Sequence, residues 1–399
     1  MLSLALAAVV ATSSPITDEP KSIPAAFALR SYAPGADARL AVWSRPPGLE
    51  IQLFHAGPEK TRSLRDDVMR GVPVTKRTSA RALEGTVDVR MPTGPSGLYF
   101  AKLTAAGRKV GYAPFVLRPR FLGRVRVLVV LPTNTWEAYN LRDVDGNGVG
   151  DTWYANASIP SVDLTRPFLD RGVPPHFRAY DQGFLRWVSH THRRPEFMSD
   201  DDLERLSGNE LAKLYDLVVF SGHEEYVTPH VYRAIARFRD LGGNLAFLSA
   251  NNFFYVVHRH GKRIFRTGRY RDLGMDSAHI TGARYVGWFE GTYPTRPYTV
   301  VGSKLAPWLF AGTGLHDGST FGNYGIEIDA RGLGSPRGTL VLARIPDEFG
   351  PGRPAEMTYY ETRRGAKVFD AGAINFGGTA EWPVVSRMLD NLWARLTKP

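Results

Sequence analysis

The chain has 399 residues, enough for two folded domains, and its 43% hydrophobic and 22% charged residues are ordinary for a globular protein. It contains no cysteine, which excludes disulfides, thiol nucleophiles and cysteine-ligated metal sites. The net charge is +11, but the sequence contains no recognisable nucleic-acid-binding motif. We interpret the basic segment 258–271 as a solvated hairpin. We therefore expect no nucleic-acid binding, and no apolar run in the sequence is long enough to span a bilayer.

Residues 1–22 are interpreted as a leader segment. LSLALAAVVA is a short apolar run, and the following TSSP offers small residues at which a signal peptidase would cut. No Lys or Arg precedes the run, so the signal is incomplete. The segment predicts a secreted or cell-envelope protein, and a cytoplasmic one if the leader interpretation is wrong.

Residues 23–119 show short runs that alternate between apolar and polar residues and are separated by turn residues. ARLAVWS, LEIQLFHA, GTVDVRM and GLYFAKLTA are examples. This period of two predicts a small antiparallel β-sandwich. No carboxylates, histidines or hydroxyls cluster here, so we expect a packing or docking role.

Residues 120–399 have a different rhythm, which predicts an α/β domain with a mainly parallel sheet. The run 124–132 (RVRVLVVLP) is typical of a strand buried on both faces. Shorter runs at 175–180, 215–222 and 244–250 follow as candidate strands. Between the last two lies a helix pattern that begins with Thr228 and Pro229 and ends at a glycine pair, so strand, helix and strand form a βαβ unit.

Ligands of open parallel sheets bind beyond the carboxyl ends of the strands, so the residues after each predicted strand form one set. The first strand leads to Tyr139, the second to Tyr180, the third to His223 and Glu225, and the fourth to Asn251. Glu224 competes with its neighbour as the relevant carboxylate. Phenolate and carboxylate oxygens are hard ligands that suit Fe(III). The alternatives are core tyrosines with satisfied hydroxyls and a glutamate that serves as a helix N-terminal charge.

Five segments in the same order resemble one family. They are NTWEAYN, SGHEEYVT, GGNLAFLSANNFFYVV, AGTGLHDGSTFGN and AEMTYYETRRGAKVFDAGAINF. Together they resemble the C-terminal domain of the large (beta) subunit of N,N-dimethylformamidase, and the preceding sandwich resembles the domain before it. The resemblance implies a glutamine-amidotransferase-like α/β topology, although the cysteine nucleophile of that chemistry is absent.

The resemblance also implies an iron-dependent amidohydrolase. Carried over motif by motif, it places the iron ligands at Tyr139, Tyr180 and Glu225. It further implies three catalytic residues beside the iron: His223, Asn251 and Glu361. The expected partners are a small linear amide as substrate and either a second copy of the chain or a small accessory subunit.

One segment departs from the family pattern. Members usually continue from AYN into a short loop with two glycines, whereas this chain has LRDVDGNGVGDTWY. Its oxygen ligands have the spacing of positions 1, 3, 5 and 9 of a calcium loop, although the glutamate of position 12 is missing. These candidate calcium ligands are Asp143, Asp145, Asn147 and Asp151. The alternative is an ordinary Asp/Asn/Gly turn.

Two functions remain open from the sequence. The first is an exported hydrolase that cleaves the C–N bond of an amide with Fe(III), with calcium as a second cation. The second is a non-catalytic module that binds a carbohydrate or another cell-envelope ligand on the same fold. The second hypothesis rests on the altered loop and on four tryptophans expected in loops: Trp136, Trp153, Trp187 and Trp288.

Overall fold

The computed structural model describes residues 21–44, 46–80, 85–288 and 294–397. The first twenty residues of the predicted leader lie outside these ranges. In the described part of the chain, no helix is both long and apolar enough to cross a membrane.

The strands of the first region are β1 (Ala25–Phe27), β2 (Ser31–Tyr32), β3 (Asp37–Val42), β4 (Glu50–His55), β5 (Val72–Pro73), β6 (Thr78–Ser79), β7 (Thr86–Arg90), β8 (Gly97–Ala105) and β9 (Lys109–Leu117). Strands β1, β3 and β7 form one antiparallel sheet. Strands β2, β9, β8, β4 and β5 form another, in that order, with β6 also on β4. Apolar side chains of both sheets share one core, and the predicted domain boundary at 119–120 falls in the connection after β9.

The remaining strands are β10 (Val127–Leu131), β11 (Val162–Asp163), β12 (Glu196–Ser199), β13 (Leu217–Phe220), β14 (Tyr226–Val227), β15 (Asn244–Phe247), β16 (Tyr255–His260), β17 (Arg263–Arg269), β18 (Arg284–Trp288), β19 (Arg296–Val300), β20 (Thr320–Tyr324), β21 (Glu327–Ala330), β22 (Leu340–Ile345), β23 (Ala355–Glu361) and β24 (Lys367–Asp370). The helices are α1 (Thr133–Ala138), α2 (Phe177–Tyr180), α3 (Gln182–His190), α4 (Asp200–Leu203), α5 (Gly208–Leu214), α6 (Pro229–Asp240), α7 (Ala278–Thr281), α8 (Pro307–Phe310) and α9 (Pro383–Leu396).

A nine-stranded mixed sheet organises the second region, in the order β12-β10-β13-β15-β24-β23-β22-β19-β20. The strands from β12 to β24 pair in parallel, and those from β24 to β20 pair antiparallel. The structure is thus mixed α/β and rich in sheet. The finer expectation of a glutamine-amidotransferase-like domain stays a prediction.

Several sequence-based elements have the predicted form. Strand β10 is buried along its whole length, as its continuous β-branched run indicates. Helix α6 begins where Thr228 accepts the backbone N–H of Val231 at 3.1 Å, and it is followed by Gly242 with φ of +102°. The basic segment forms the antiparallel hairpin of β16 and β17.

The strand predicted at 175–180 is wrong. Its residues form helix α2, and the strand that pairs with β10 on the side away from β13 is β12, which the sequence analysis did not predict. Close backbone packing holds the helix in place: a Cβ atom added at Gly378 would lie 1.7 Å from the carbonyl oxygen of Ala179. A short apolar run does not by itself distinguish a strand from a buried helical turn.

A buried ion cluster connects the sandwich to the second region. The Arg30 guanidinium, between β1 and β2, pairs with the Glu137 carboxylate in α1. Arg166 lies 3.6 Å from the same carboxylate and donates to the Glu137 carbonyl oxygen at 2.9 Å. Asn140 also donates to the carboxylate, at 3.0 Å. All three charged side chains are buried. The loss of hydration of each charge is therefore compensated only by the opposite charges of the cluster.

We expect Glu137→Ala to lower the free energy of unfolding by about 3–5 kcal/mol, because it leaves two buried guanidinium groups without their carboxylate. Glu50→Ala is the matched control, since Glu50 pairs with Arg77 at the surface and such pairs contribute less than about 1 kcal/mol. Urea unfolding of both variants measures the difference. Equal losses would contradict a linking role for the buried cluster.

Candidate active site at the carboxyl edge of the sheet

Helix α1 positions the first functional side chain. It follows β10 directly, and the Asp200 carboxylate accepts the backbone N–H of Asn134 at 2.7 Å in its first turn. Tyr139 closes the helix by donating its N–H to the Thr135 carbonyl oxygen at 3.0 Å. The Tyr139 ring is buried, so its phenol points into the protein beyond the carboxyl end of β10.

The turn after β13 brings a carboxylate to this phenol. The backbone N–H of Glu225 donates to the Thr135 hydroxyl at 3.1 Å, which ties the turn to α1. Tyr139 Oη then donates to Glu225 Oε2 at 2.8 Å and lies 3.4 Å from Glu327 Oε1. Both carboxylates are buried, so a phenol and two carboxylates meet in the protein interior.

Asn251, after β15, bridges the two carboxylates. Its Nδ2 atom donates to Glu225 Oε1 at 3.1 Å and to Glu327 Oε2 at 2.7 Å. Its backbone has φ of +53°, a left-handed conformation that is uncommon outside glycine. Both carboxylate oxygens of Asp329 accept its N–H, at 2.9 and 3.0 Å. Asp329 therefore stabilises the backbone of Asn251, and the carboxamide of Asn251 bridges Glu225 and Glu327.

His223 completes the cluster. Its Nε2 atom lies 3.7 Å from Glu225 Oε2 and 3.8 Å from Glu327 Oε2, and it has no hydrogen-bond partner. Burial lowers the pKa of His223 to about 3, so the ring is neutral at neutral pH. A buried ring nitrogen without a partner is unusual, and it faces the place where the phenol and the carboxylates meet.

Burial dominates the electrostatics of the acidic cluster. It raises the pKa of Glu327 to about 7 and that of Glu225 well above its usual value. The neighbouring negative charge of Glu327 raises the pKa of Glu225 further. Burial also raises the pKa of the Tyr139 phenol well above its usual range. Since no lysine or arginine of the described residues pairs with either glutamate, the cluster holds protons unless a cation neutralises it.

Tyr180 lies near this cluster, in helix α2 rather than after a strand. Its ring stacks on His176 with 5.1 Å between centroids, and the Tyr139 ring lies 6.0 Å from His176 on an edge. Burial and the charge of Glu327 raise the pKa of the Tyr180 phenol. Both tyrosines line a small cavity that also contacts Asp181 and His223.

Glu361 does not join the cluster. It ends β23, which runs antiparallel to β24, and it pairs with Lys367 at the start of β24. Its exposed side chain accepts from Arg395 at 2.7 Å. The expectation that Glu361 lies beside the other site residues is therefore wrong, because the direction of β23 carries it to the amino edge of the parallel strands.

Glu327 and Asp329 occupy the acidic positions that the sequence analysis missed. They lie two residues apart in β21, and alternate residues of a strand face the same side. An isolated bridge between Ile328 and Ala373 places β21 beyond the carboxyl end of β24. The signal in the sequence is the Glu-Ile-Asp alternation at 327–329 within a fully buried strand.

The side chain of Glu224, the competing carboxylate, faces the buried carboxyl group of Asp200 instead. Burial and the charge of Asp200 raise its pKa well above its usual value. Its backbone N–H donates to Asn252 at 3.2 Å, whereas the Tyr139 hydroxyl and the Asn251 carboxamide donate to Glu225. The neighbouring residues 224 and 225 thus face opposite directions, as expected of an extended turn.

The segment predicted to bind calcium forms an exposed loop of turns. Asp143 accepts the N–H groups of Gly146 and Gly148 at 2.8 and 2.7 Å. Asp151 accepts the N–H of Val144 at 2.7 Å. Asp145 accepts from Asn147, also through a backbone N–H. The Asp145 bond is that of an Asx turn, the others close the loop through its own backbone N–H groups, and calcium binding stays a prediction.

The same loop reaches the candidate site at its far end. The ring of Tyr154 lies 4.4 Å from the ring of Tyr139, and Trp153 stacks on Tyr226 at 5.4 Å. The departure from the family pattern therefore forms part of the wall around Tyr139.

The tryptophans expected in binding loops are mostly core residues. Trp136, Trp153 and Trp187 are buried, and Trp288 is 46% exposed. The indole nitrogens of Trp136 and Trp153 donate to Asp181 and to the Ile159 carbonyl oxygen. Three of the four aromatic side chains are thus unavailable to a carbohydrate on the surface.

The donor set fits a hard cation. The described residues contain no group of three His, Asp or Glu side chains arranged to hold a metal. What the site offers instead is mixed: the Tyr139 phenol, the Glu225 carboxylate and the nearby Tyr180 phenol, all buried oxygen donors. A trivalent cation would supply the positive charge that the buried acidic groups lack.

The sequence matches the family described as N,N-dimethylformamidase beta subunit-like, C-terminal, over residues 72–387. The chain belongs to this family. The beta subunit of N,N-dimethylformamidase from Paracoccus aminophilus is 22% identical over 411 residues, covering 78% of this chain and 54% of that protein. The beta subunit from Alcaligenes sp. is 24% identical over 314 residues, covering 64% of this chain and 40% of that protein.

The chain thus spans about half the length, or less, of these curated relatives. Among solved structures, the mmIFT52 N-terminal domain aligns with 53% of this chain and 87% of its own, at 12% identity and a TM-score of 0.32. A similarity at this level carries no argument about fold or function.

We expect the metal-free protein to lose stability as the pH rises from about 5 to about 8. The Glu327 carboxyl has its pKa raised from 4.5 to about 7 in the folded protein. Folding therefore takes up a proton in this window, and the stability contribution is lost as the pH rises through about 7. Urea unfolding across the window should show a shallower slope for Glu327→Gln. Identical slopes in both proteins would contradict a raised Glu327 pKa.

Proposed function

We propose that the chain is an iron-dependent hydrolase of the N,N-dimethylformamidase type that cleaves the C–N bond of a small linear amide. The observation that carries the proposal is the buried contact of the Tyr139 phenol with two carboxylates beyond the carboxyl ends of the parallel strands. Membership of the N,N-dimethylformamidase beta subunit-like family supports it. Fe(III), held by Tyr139, Tyr180 and Glu225, would polarise the amide carbonyl and lower the pKa of water.

Glu327 is the best-placed general base. Its buried carboxylate lies 3.4 Å from the Tyr139 phenol, and a neighbouring cation would keep it ionised and able to accept a proton. Glu327 would take the proton of the attacking water as the water oxygen bonds to the carbonyl carbon. It would then return that proton to the amide nitrogen as the C–N bond breaks and the amine leaves. Asn251 holds this carboxylate in position. Glu327 replaces Glu361, to which the family resemblance assigned a place in the site.

His223 would serve the substrate as a neutral partner. Its free Nε2 atom faces both glutamates, so its N–H can donate to a substrate oxygen or its lone pair can accept from a water. Either role requires the uncharged ring, which the lowered pKa of about 3 provides.

Glu225→Ala is expected to abolish iron loading and amide hydrolysis together, because it removes the carboxylate that contacts Tyr139. Glu361→Ala is the matched control, since that glutamate is exposed at the opposite edge of the sheet. Plasma mass spectrometry gives the iron content, and amine release from N,N-dimethylformamide and larger amides gives the activity. Near-stoichiometric iron in Glu225→Ala would show that the proposed ligand set is wrong.

The visible absorption spectrum of the iron-loaded protein tests the two proposed tyrosine ligands. Tyrosinate bound to Fe(III) absorbs visible light, so Tyr139→Phe and Tyr180→Phe should each weaken and shift the band. Tyr226→Phe is the control, because this buried ring lies 6.4 Å from the Tyr139 ring on a neighbouring strand. An unchanged spectrum in Tyr180→Phe would remove Tyr180 from the ligand set while leaving Tyr139 and Glu225 in it.

The proposal extends to partners and location. The curated relatives are named as beta subunits, so we propose that this chain also works with an accessory subunit or a second copy of itself. Export by way of the leader segment and calcium binding at 143–151 remain further proposals. The structure does not favour the carbohydrate-binding alternative, because three of the four tryptophans on which it rests are buried.

A further inference from the structure

A cleft of about 750 Å³ lies between the sandwich and the large sheet. Its volume is in the range of small-molecule sites, which often occur where domains meet. The cleft is lined at one side by Arg124 and Val125, just before β10, and at another by Glu196 and Phe197, at the start of β12. These are the amino ends of strands whose carboxyl ends face the candidate active site. The cleft is therefore separate from the candidate active site.

The positive charge of the cleft has no internal counter-ion. Arg120, Arg124 and Arg194 line it, and no carboxylate of the described residues pairs with any of them. The Arg124 guanidinium lies 4.7 Å from the centroid of the exposed Phe121 ring. Another lining arginine, Arg193, already pairs with Asp390 at 2.9 Å, so it does not contribute to the excess.

The one acidic residue of the described chain that lines the cleft, Glu196, hydrogen-bonds to the protein itself and does not pair with the arginines. Glu196 accepts the backbone N–H groups of Gly123, Arg124 and Val125 at 2.9 to 3.1 Å, together with the Tyr215 hydroxyl at 2.6 Å. Its carboxylate fixes the connection before β10 and leaves no lone pair directed at the arginine side chains. His55, which lines the cleft from the sandwich, adds no charge, because burial lowers its pKa to about 4.

The walls of the cleft are apolar. Leu98, Leu185 and Val188 line its interior. At its mouth Phe121 is 57% exposed and Val125 is 40% exposed. The cleft thus offers a ligand both apolar surface and guanidinium groups that can make charge-assisted hydrogen bonds.

We propose that this cleft binds a small organic anion with an apolar body, such as a medium-chain alkyl carboxylate. The apolar part would cover Phe121, Val125 and the interior walls, and the carboxylate would pair with Arg124 and Arg194. The charge complementarity selects an anion over a neutral or cationic amphiphile. The site does not depend on iron or on amide hydrolysis.

Calorimetric titration with octanoate, 1-octanol and octylammonium tests the proposal on the full chain. We expect saturable binding of octanoate, weaker binding of 1-octanol and none of octylammonium. Arg124→Gln and Arg194→Gln should each weaken octanoate binding roughly tenfold, the size of one charge-assisted hydrogen bond. Arg337→Gln is the matched control, because it removes the same charge from an exposed loop outside the cleft.

Equal binding of all three amphiphiles, or equal loss in the Arg337 control, would overturn the proposal by showing that the cleft does not discriminate charge. Absence of octanoate binding would overturn it as well. If octanoate fails while polyglutamate binds and is lost in Arg124→Gln, the cleft receives an acidic protein segment and the small-molecule proposal is wrong.

Discussion

The burial of two glutamates and a tyrosine phenol against one another is the constraint on which this structure depends. Each carboxylate would repel the other if both were ionised, and one carboxamide, that of Asn251, separates them. Burial, and after it the charge of Asp329, raise the pKa of Glu327 to about 7, so without a cation the cluster holds protons. A hard cation would reverse this preference. The same contacts thus link folding stability to protonation.

The surrounding fold is arranged to hold this cluster in one geometry. Asn251 adopts a left-handed backbone that costs conformational energy, and the carboxylate of Asp329 stabilises it. Strand β21 supplies both Glu327 and Asp329. Glu327 is one of the two carboxylates of the cluster, and Asp329 positions Asn251, which bridges them. The Thr135 hydroxyl joins helix α1 to the turn of Glu225. The backbone of Asn251 is therefore held by β21, and the turn of Glu225, which its carboxamide contacts, is held by α1.

The sandwich contributes to both ends of the large sheet. On the carboxyl side, Arg30 reaches Glu137 two residues before Tyr139, so the docking of the sandwich and the position of the phenol depend on the same short helix. On the amino side, the sandwich forms one wall of a cationic cleft, while Glu196 fixes the connection into β10. A single strand, β10, thus runs between an acidic cluster at its carboxyl end and a cleft lined by arginines at its amino end.

The sequence by itself determined the parts of this protein that depend on local patterns. A continuous β-branched run specified β10, and capping residues specified α6. The rule that parallel strands share a carboxyl edge brought Tyr139, His223, Glu225 and Asn251 together. Only the tertiary structure decided the rest: the helical turn of Tyr180, the arrival of Glu327 from a crossing strand and the displacement of Glu361 to the opposite edge. These depend on strand direction and on packing between segments far apart in the chain, which no local periodicity encodes.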